Sequence, residues 1–394
     1  MLNKVVVIGR NYTSRLGMIR ALGRAGYQVY VICTNRRQNS DIDKKSKYVC
    51  GYYSAKEPDQ YKLIDTINAI GKRLEGNIFL IPVDDFAAST IDNHLNLLKN
   101  RFLFPNVCMR QGAVNDLMDK NTQKQLALKA GLNVAKGWVV EVKNGQYTLP
   151  PNIVYPCFPK PEISYMGTKQ YMRKCSTESE LRTVLDRCAS LSDCPILVEQ
   201  YIEIEKELGV LGVCDRGHAV LPGLVDKLMI GEGAHKGVTK LGEVKPLINE
   251  SDLKKKLQTF LSYTQFTGLC DIDLYESNGN IYFNELNLRF GAFGYSILCA
   301  GANLPAHLIK TLLDLPTSEE VIKIRPRTIC LSEKVNLDDY RAGYYGWHEY
   351  KNIHEKAECY FLADREDPRP YTAFRKQVFL SLLKKIVIKT IRWH

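Results

Sequence analysis

From Gly268 to Gly294 the chain reads GLCDIDLYESNGNIYFNELNLRFGAFG, two runs of alternating apolar and polar residues joined by Ser277-Asn278-Gly279-Asn280. Period-two alternation around an Asn-Gly step predicts a β-hairpin. In such a hairpin Asp271 and Asp273 share one face of the first arm, and Glu285, Asn287 and Arg289 share one face of the second. If the arms close about the turn, several oxygen donors and one guanidinium converge. Hard oxygen donors of this kind suit Mg²⁺, which binds a few carboxylates together with phosphate oxygens. The arginine can then grip the anion that the metal polarises. The alternative is a solvated sheet edge on which charges face one another. Against it stand the small residues of Gly291-Ala292-Phe293-Gly294, which let a backbone approach a ligand, and a phosphate-binding half supplied upstream.

A chain of 394 residues has room for two or three domains and a large core. Its hydrophobic and charged contents, 45% and 25%, are ordinary for a soluble globular protein. Twelve cysteines are scattered without a C-x-x-C pair, which excludes metal knuckles and redox motifs. Dispersed, unpaired thiols fit a reducing cytoplasm. The opening MLNKVVVIGRNY reads as a buried strand and not as a signal peptide, and no run of about 18 apolar residues is present to span a bilayer. Of the net charge of +11, six positive charges lie in residues 372–394, which carry no acid. The remaining bias is too weak to imply nucleic acid, and no nucleic-acid-binding motif occurs.

Along the chain, Lys4 to Gly9, Arg15 to Ala25 and Tyr27 to Cys33 form a strand–helix–strand opening. The turn Gly9-Arg10-Asn11-Tyr12-Thr13-Ser14 lacks G-x-G-x-x-G spacing, so no dinucleotide site is expected. A buried strand, Asn77 to Val83, ends in Asp84-Asp85, either ligand-facing acids or a helix N-cap. A single helix is expected from Asp116 to Ala130, stopped by Gly131. Strands follow at Trp138 to Val142 and Val154 to Pro161. Thr177 and Glu180 have capping-box spacing for a helix to Leu191. Ile196 to Ile202 reads as a strand running into a polar connector, and Ala300 to Leu313 as one helix. Beyond Pro316 no motif carries chemistry.

In chain order the signals are Asp119-Lys120, Pro159-Lys160-Pro161, Glu199-Gln200-Tyr201-Ile202, Glu207, and Asp273 with Glu285-x-Asn287-x-Arg289. This ordered set resembles the ATP-grasp superfamily over roughly 110–315, and within it carboxylate–amine ligases of the D-aspartate ligase and carbamoyl-phosphate-synthase-like kind. The resemblance implies an α/β protein with α+β character: an N-terminal Rossmann-like pre-grasp domain followed by a two-lobed ATP-grasp fold. The expected domains are 1–112, 113–315 (lobes 113–198 and 199–315), an extension 316–371, and a basic amphipathic helix 372–394. The resemblance also assigns roles. Lys120 and Lys160 contact the phosphates of ATP, Glu199 to Ile202 read adenine, and Glu207 (or Glu205) takes the ribose hydroxyls. Asp273, with Asp271 as the alternative, joins Glu285 and Asn287 in holding Mg²⁺, for which Mn²⁺ can substitute. Arg289 steadies the transferred group or pairs structurally with Glu285. The loop Glu162 to Thr168 has one glycine where such enzymes are glycine-rich, leaving Lys169 to take part of its role. The glycine-rich, basic stretch Asp226 to Lys240 is either a flap, with Lys227 or Lys240 reaching a phosphate and His235 of interest, or a plain surface loop.

The implied reaction is carboxylate activation by ATP and amide formation with an amine, so the partners are small carboxylates and amines. The rival readings are bicarbonate activation in the carbamoyl-phosphate manner and a non-catalytic ATP-binding scaffold. The substrate pocket is expected near Asp84, Asp85 and Arg289 to Tyr295. In the tail, Phe379, Leu382, Leu383, Ile386 and Trp393 share a helical face opposite Lys384, Lys385 and Arg392. Such a helix either docks on the protein or lies on an anionic membrane surface. The expected location is cytoplasmic, with peripheral contact at the inner membrane face, suited to an envelope precursor; a homo-oligomer is compatible with all of this.

Overall fold

The structure, a computed structural model, describes residues 3–35, 41–56, 59–163, 171–248, 251–315 and 322–391, with side chains as far as residue 383. The chain opens as β1 (Lys4–Gly9), α1 (Tyr12–Arg24), β2 (Gln28–Cys33), β3 (Val49–Ser54), α2 (Gln60–Arg73), β4 (Ile78–Pro82), α3 (Asp85–Asn93) and α4 (Leu95–Leu98). The four strands make a parallel sheet in the order β3-β2-β1-β4. Val5 to Ile8 and Ile78 to Ile81 are buried along their whole runs, as a sheet covered on both faces requires. Beyond the carboxyl ends of β1 and β4 lie Asn11 to Thr13 and Asp84-Asp85. The β1–α1 turn is fixed by the buried Arg15 guanidinium, which donates to the Gly9 and Arg10 carbonyls at 2.6 and 2.7 Å.

β5 (Asn106–Val107), α5 (Ala113–Leu117), α6 (Lys120–Lys129) and β6 (Asn133–Val134) lead into a smaller lobe. It contains β7 (Gly137–Val140), the ribbon β8 (Val142–Lys143) and β9 (Gln146–Tyr147), β10 (Cys157–Pro161), α7 (Glu178–Ala189) and β11 (Ile196–Gln200). Its sheet runs β10-β11-β7, antiparallel, around its own core of Val140, Cys157, Leu181, Leu185 and Val198. Pro159 and Pro161 lie on the edge strand β10, the position where a missing N–H is tolerated. The larger lobe holds β12 (Lys206–Asp215), β13 (His218–Ile230), β14 (Thr239–Pro246), α8 (Asp252–Thr264), β15 (Phe266–Ser277), β16 (Asn280–Asn287), α9 (Tyr295–Ala300) and α10 (Leu304–Leu312). Its sheet continues through β17 (Thr328–Leu331) and β18 (Cys359–Tyr360) in the order β18-β17-β14-β13-β12-β15-β16-β6, with β5 against β15. The chain closes with α11 (Glu333–Ala342), α12 (Trp347–Lys356) and α13 (Arg369–Ile391). One apolar core links β1 and α1 to β12–β15, α9, α10 and Phe361, so the opening sheet and the larger lobe pack as a unit.

Several expectations need correction. Helix 116–130 is two helices, because the Asp119 carboxylate caps the Thr122 N–H at 2.6 Å and restarts the coil at Lys120. Helix 300–313 likewise breaks at Gly301, at φ +118°, and restarts where Asn303 caps Ala306. Helix α1 begins three residues early, capped by Asn11. Strand 154–161 is paired with β11 only from Cys157. The cysteines are not all unpaired: Cys299 on α9 and Cys359 on β18 form a disulfide across 60 residues of sequence. Of the tail helix, Tyr371, Ala373 and Phe374 pack beside Leu16, Ile42 and Leu362, whereas Phe379, Leu380, Leu382 and Leu383 are exposed. The side chains of Lys384, Lys385, Ile386, Lys389, Arg392 and Trp393 lie outside those described. Among the described residues, no helix is long and apolar enough to cross a membrane.

Candidate active site

The hairpin forms as its sequence requires. Asn278 and Gly279, at φ +48° and +71°, make a two-residue turn between the paired Ser277 and Asn280. Register then sets Asp273 opposite Glu285 and Asp271 opposite Asn287, on one face. Asn287 Nδ2 donates to Asp273 at 3.2 Å, and Lys227 Nζ to the other oxygen of Asp273 at 2.6 Å. Asp271 is packed differently: a Cβ on Gly291 would stand 1.9 Å from its carboxylate oxygen. Burial, reinforced by the Asp273 charge, pushes the Asp271 carboxyl up to about 7. Asp273 and Glu285 with the Asn287 carboxamide are a hard-oxygen donor set on one face. The face therefore fits a divalent cation, with Asp273 better placed than Asp271.

Two lysines approach from the other side. Lys120, at the first position of α6, is buried, with Nζ 3.7 Å from a Glu285 oxygen. It is placed there because Gln123, a turn further on, makes three hydrogen bonds of 2.7–2.8 Å: it accepts from the Leu286 N–H and donates to the Leu286 and Leu117 carbonyls. Lys160 donates to Asn284 Oδ1 at 3.0 Å and pairs with Glu199 at 2.8 Å. Lys160 thus reaches β16 at Asn284, the residue before Glu285, from a strand 124 residues away in sequence. Glu199 also binds Lys124 at 2.7 Å. Burial pushes the Glu199 carboxyl up, but Lys160 and Lys124 outweigh it and leave the group below its ordinary range. Glu199 is therefore a clamp on two lysines, and Lys124 is a site residue that sequence reasoning missed.

Beside Lys160 lies a cavity of about 500 Å³ lined by Phe158, Glu199 to Ile202, Glu207, Tyr275 and the 231–237 segment. It gathers the residues expected to read adenine and ribose. The Gln200 and Tyr201 N–H groups already donate to the Lys136 and Pro156 carbonyls, so edge recognition falls to the remaining groups of this connector. Glu207 lines the cavity and lies 3.6 Å from Lys227. Glu205 instead accepts the Asn278 N–H at the hairpin turn. A second cavity, of about 330 Å³, opens on the other side of the carboxylate face and contains Lys227, Asp273, Glu285, Asn287 and Arg289. Gly237 lines both.

Arg289 does not pair with Glu285. It donates to Asp85 at 2.6 Å and to Asn287 Oδ1 at 3.0 Å, so Asp85 orients the guanidinium. Asp84 is a helix cap, accepting the Ala87 N–H at 2.9 Å. The opening sheet reaches the second cavity through Asn11, Tyr12 and Thr13, not through Asp84 and Asp85. The stretch 226–240 is mostly strand, with a connection only at 231–238. Within it Lys227 faces Asp273, whereas Lys240 is buried in an ion pair with Asp339 at 3.0 Å and lines neither of these two cavities. Lys169 and most of its loop lie outside the described residues.

This architecture is the ATP-grasp fold. Among solved structures, the biotin carboxylase–β,γ-ATP complex of Campylobacter jejuni superposes with a TM-score of 0.64 at 19% identity, covering 84% of this chain and 75% of that one. The L-amino acid ligase of Bacillus licheniformis gives 0.63 at 14% identity, covering 83% and 78%. In sequence, the chain is 24% identical over 308 residues to the C-terminal section of the carbamoyl phosphate synthase large chain of Methanocaldococcus jannaschii, covering 73% of this chain and 47% of the relative. It is 26% identical over 193 residues to a D-alanine–D-alanine ligase of Bacillus cytotoxicus, covering 46% and 53%. The chain spans about half the length of these curated relatives. No protein-family profile matches it.

Proposed function

We propose that this chain is an ATP-dependent carboxylate–amine ligase. The observation that carries the reading is the carboxylate face lining one cavity, which meets at Gly237 a second cavity lined by the adenine-type connector. Asp273, Glu285 and Asn287 would hold Mg²⁺, which offsets the charge of the β- and γ-phosphates. Lys120 and Lys160 contact those phosphates, the latter aimed by Glu199 and Lys124. A substrate carboxylate oxygen attacks the γ-phosphorus, the bond to ADP breaks, and an acyl phosphate forms. The amine nitrogen then attacks the acyl carbon, phosphate leaves, and one proton is released as the C–N bond forms. Arg289, held by Asp85, steadies charge on the transferred group. Catalysis here is positioning and electrostatics, without a protein nucleophile. The test is ADP release by the purified protein over matrices of acids and amines. Release should require both and Mg²⁺, and Glu285→Gln should lower it by about 100-fold or more. Nucleotide binding without turnover for any pair would leave a scaffold instead.

The carbamoyl phosphate synthase relative favours one second reading, bicarbonate as the activated acid. ADP release dependent on bicarbonate with no other acid would select it. Mn²⁺, another hard divalent ion, should replace Mg²⁺ in the same assay. Limited proteolysis tests the domain limits 112, 198 and 315, of which 198 falls inside β11 and 315 between strands of one sheet. The exposed Phe379, Leu382 and Leu383 support a peripheral membrane contact by α13 from the cytoplasmic side. Phe379→Asp with Leu383→Asp should then abolish sedimentation with anionic liposomes. A homo-oligomer is tested by light scattering.

A further inference from the structure

The second cavity has two chemically opposite walls. One is the carboxylate face. The other is assembled from three separate parts of the chain: Tyr12 and Thr13 at the start of α1, His235 in the 231–238 connection, and Ser332 and Lys334 at the start of α11. Among the described residues this far wall carries no carboxylate; Asp338, one turn beyond Lys334, does not line the cavity. Asp338 nevertheless accepts from both Lys334 Nζ and His235 Nε2, the latter at 3.0 Å. One acid serves two bases, so an incoming anion can take Lys334 while His235 keeps Asp338. Burial, with Asp338 and Glu333 near, holds the Tyr12 hydroxyl above its ordinary range and keeps it a donor. A substrate with an apolar distal end would leave the Tyr12, Thr13 and Ser332 hydroxyls of this wall facing a group that cannot accept, which a polar site penalises.

We propose that Lys334 is the specificity residue of this cavity and binds a carboxylate carried by a small substrate at the end remote from the reacting group. The carboxylate belongs either to the amine, which is then an amino acid, or to the activated acid, which is then a dicarboxylic acid. A cavity of about 330 Å³ is at the small end for ligand sites and suits either. On the far wall, where the described lining residues offer one ammonium and no guanidinium, a carboxylate is better matched than a doubly charged phosphate. This inference rests on the ligase reading and deepens it, since it draws the extension after residue 322 into the substrate site.

The test is thermal melting of the full chain bearing Mg²⁺ and a non-hydrolysable ATP analogue. Amino acids are compared with their amides, dicarboxylic acids with their half-amides, and inorganic phosphate is run alone. At least one carboxylate should raise the melting temperature by a few degrees where its amide does not. Lys334→Met should lose that rise and Lys334→Arg should retain it, while the shift given by the nucleotide stays equal in all three proteins. A response to amino acids or to dicarboxylic acids identifies the source of the carboxylate. The inference is overturned if no carboxylate outperforms its amide, if phosphate alone reproduces the rise, or if the rise survives in Lys334→Met. Absence of any magnesium-dependent nucleotide shift in the unaltered protein would sink the ligase reading and this inference with it.

Discussion

At the scale of single residues, Glu199 decides how Lys160 acts. Because Lys124 also binds Glu199, Lys160→Met leaves a buried ion pair intact and the fold unharmed. The expected result is a KM for MgATP raised about tenfold or more, worth roughly 1.4 kcal/mol per decade, with an unchanged urea midpoint. Glu162 makes a pH-dependent prediction. Burial, then the neighbouring Asp119, pushes its carboxyl from 4.5 up to about 7. A raised acid is bound more tightly as the protonated form in the fold. Its contribution is therefore complete below about pH 4.5 and is lost as pH climbs through 7. Urea midpoints at pH 5 and pH 8 should fall further for the unaltered chain than for Glu162→Gln, and equal falls would refute the assignment. That Glu285 and Asn287 share a face could be read from the sequence because strand alternation fixes it, whereas Lys160 stands out only through the resemblance to the ATP-grasp pattern. Lys124 could not be read, since a helix lysine one turn past Lys120 looks solvated until β11 brings Glu199 against it.

At the scale of elements, the hairpin was legible to the residue: the Asn-Gly turn fixes register, and register fixes which acids meet. Helix breaks were not. Apolar periodicity runs straight through Met118-Asp119 and through Gly301, and only the caps at Asp119 and Asn303 show that the chain restarts. The element that follows the hairpin carries a prediction of its own. Gly291 lies so close to Asp271 that a methyl group would stand 1.9 Å from its carboxylate oxygen. Gly291→Ala must therefore move a buried acid that shares a face with Asp273. Overpacking of this kind costs about 1–3 kcal/mol. The displaced charge should cost activity more than stability, about ten- to a hundredfold in ADP release. Mg²⁺ titration of the variant's activity checks this, and an unchanged profile would mean that Asp271 has slack.

At the scale of the whole molecule, the part of the chain that carried no readable motif closes the structure. Its residues bind by groups that look like surface charge in sequence. Arg20 on α1 is wholly buried and donates to the Phe361, Leu362 and Asp367 carbonyls at 2.8–3.0 Å and to the Asp367 carboxylate at 3.1 Å. Pairing across 347 residues leaves no local periodicity to detect. Asp367 accepts the Lys47 N–H as well, at 2.9 Å, so Arg20→Leu would leave a buried carboxylate with one neutral donor and remove the Arg20 donors from three carbonyls. Breaking a buried pair from one side costs about 3–5 kcal/mol. Urea denaturation should show that loss for Arg20→Leu, and Asp367→Asn in the same chain should recover part of it, because the uncompensated charge is gone. Phe361 packs against Phe293, with ring centroids 4.7 Å apart and the planes tilted by 60°, and both line the second cavity. Loosening Arg20 should therefore raise the KM of the second substrate several-fold, and more than the KM of MgATP, whose connector contacts lie in the other cavity. Equal changes in both constants would mean that the extension stabilises the fold without shaping the substrate site.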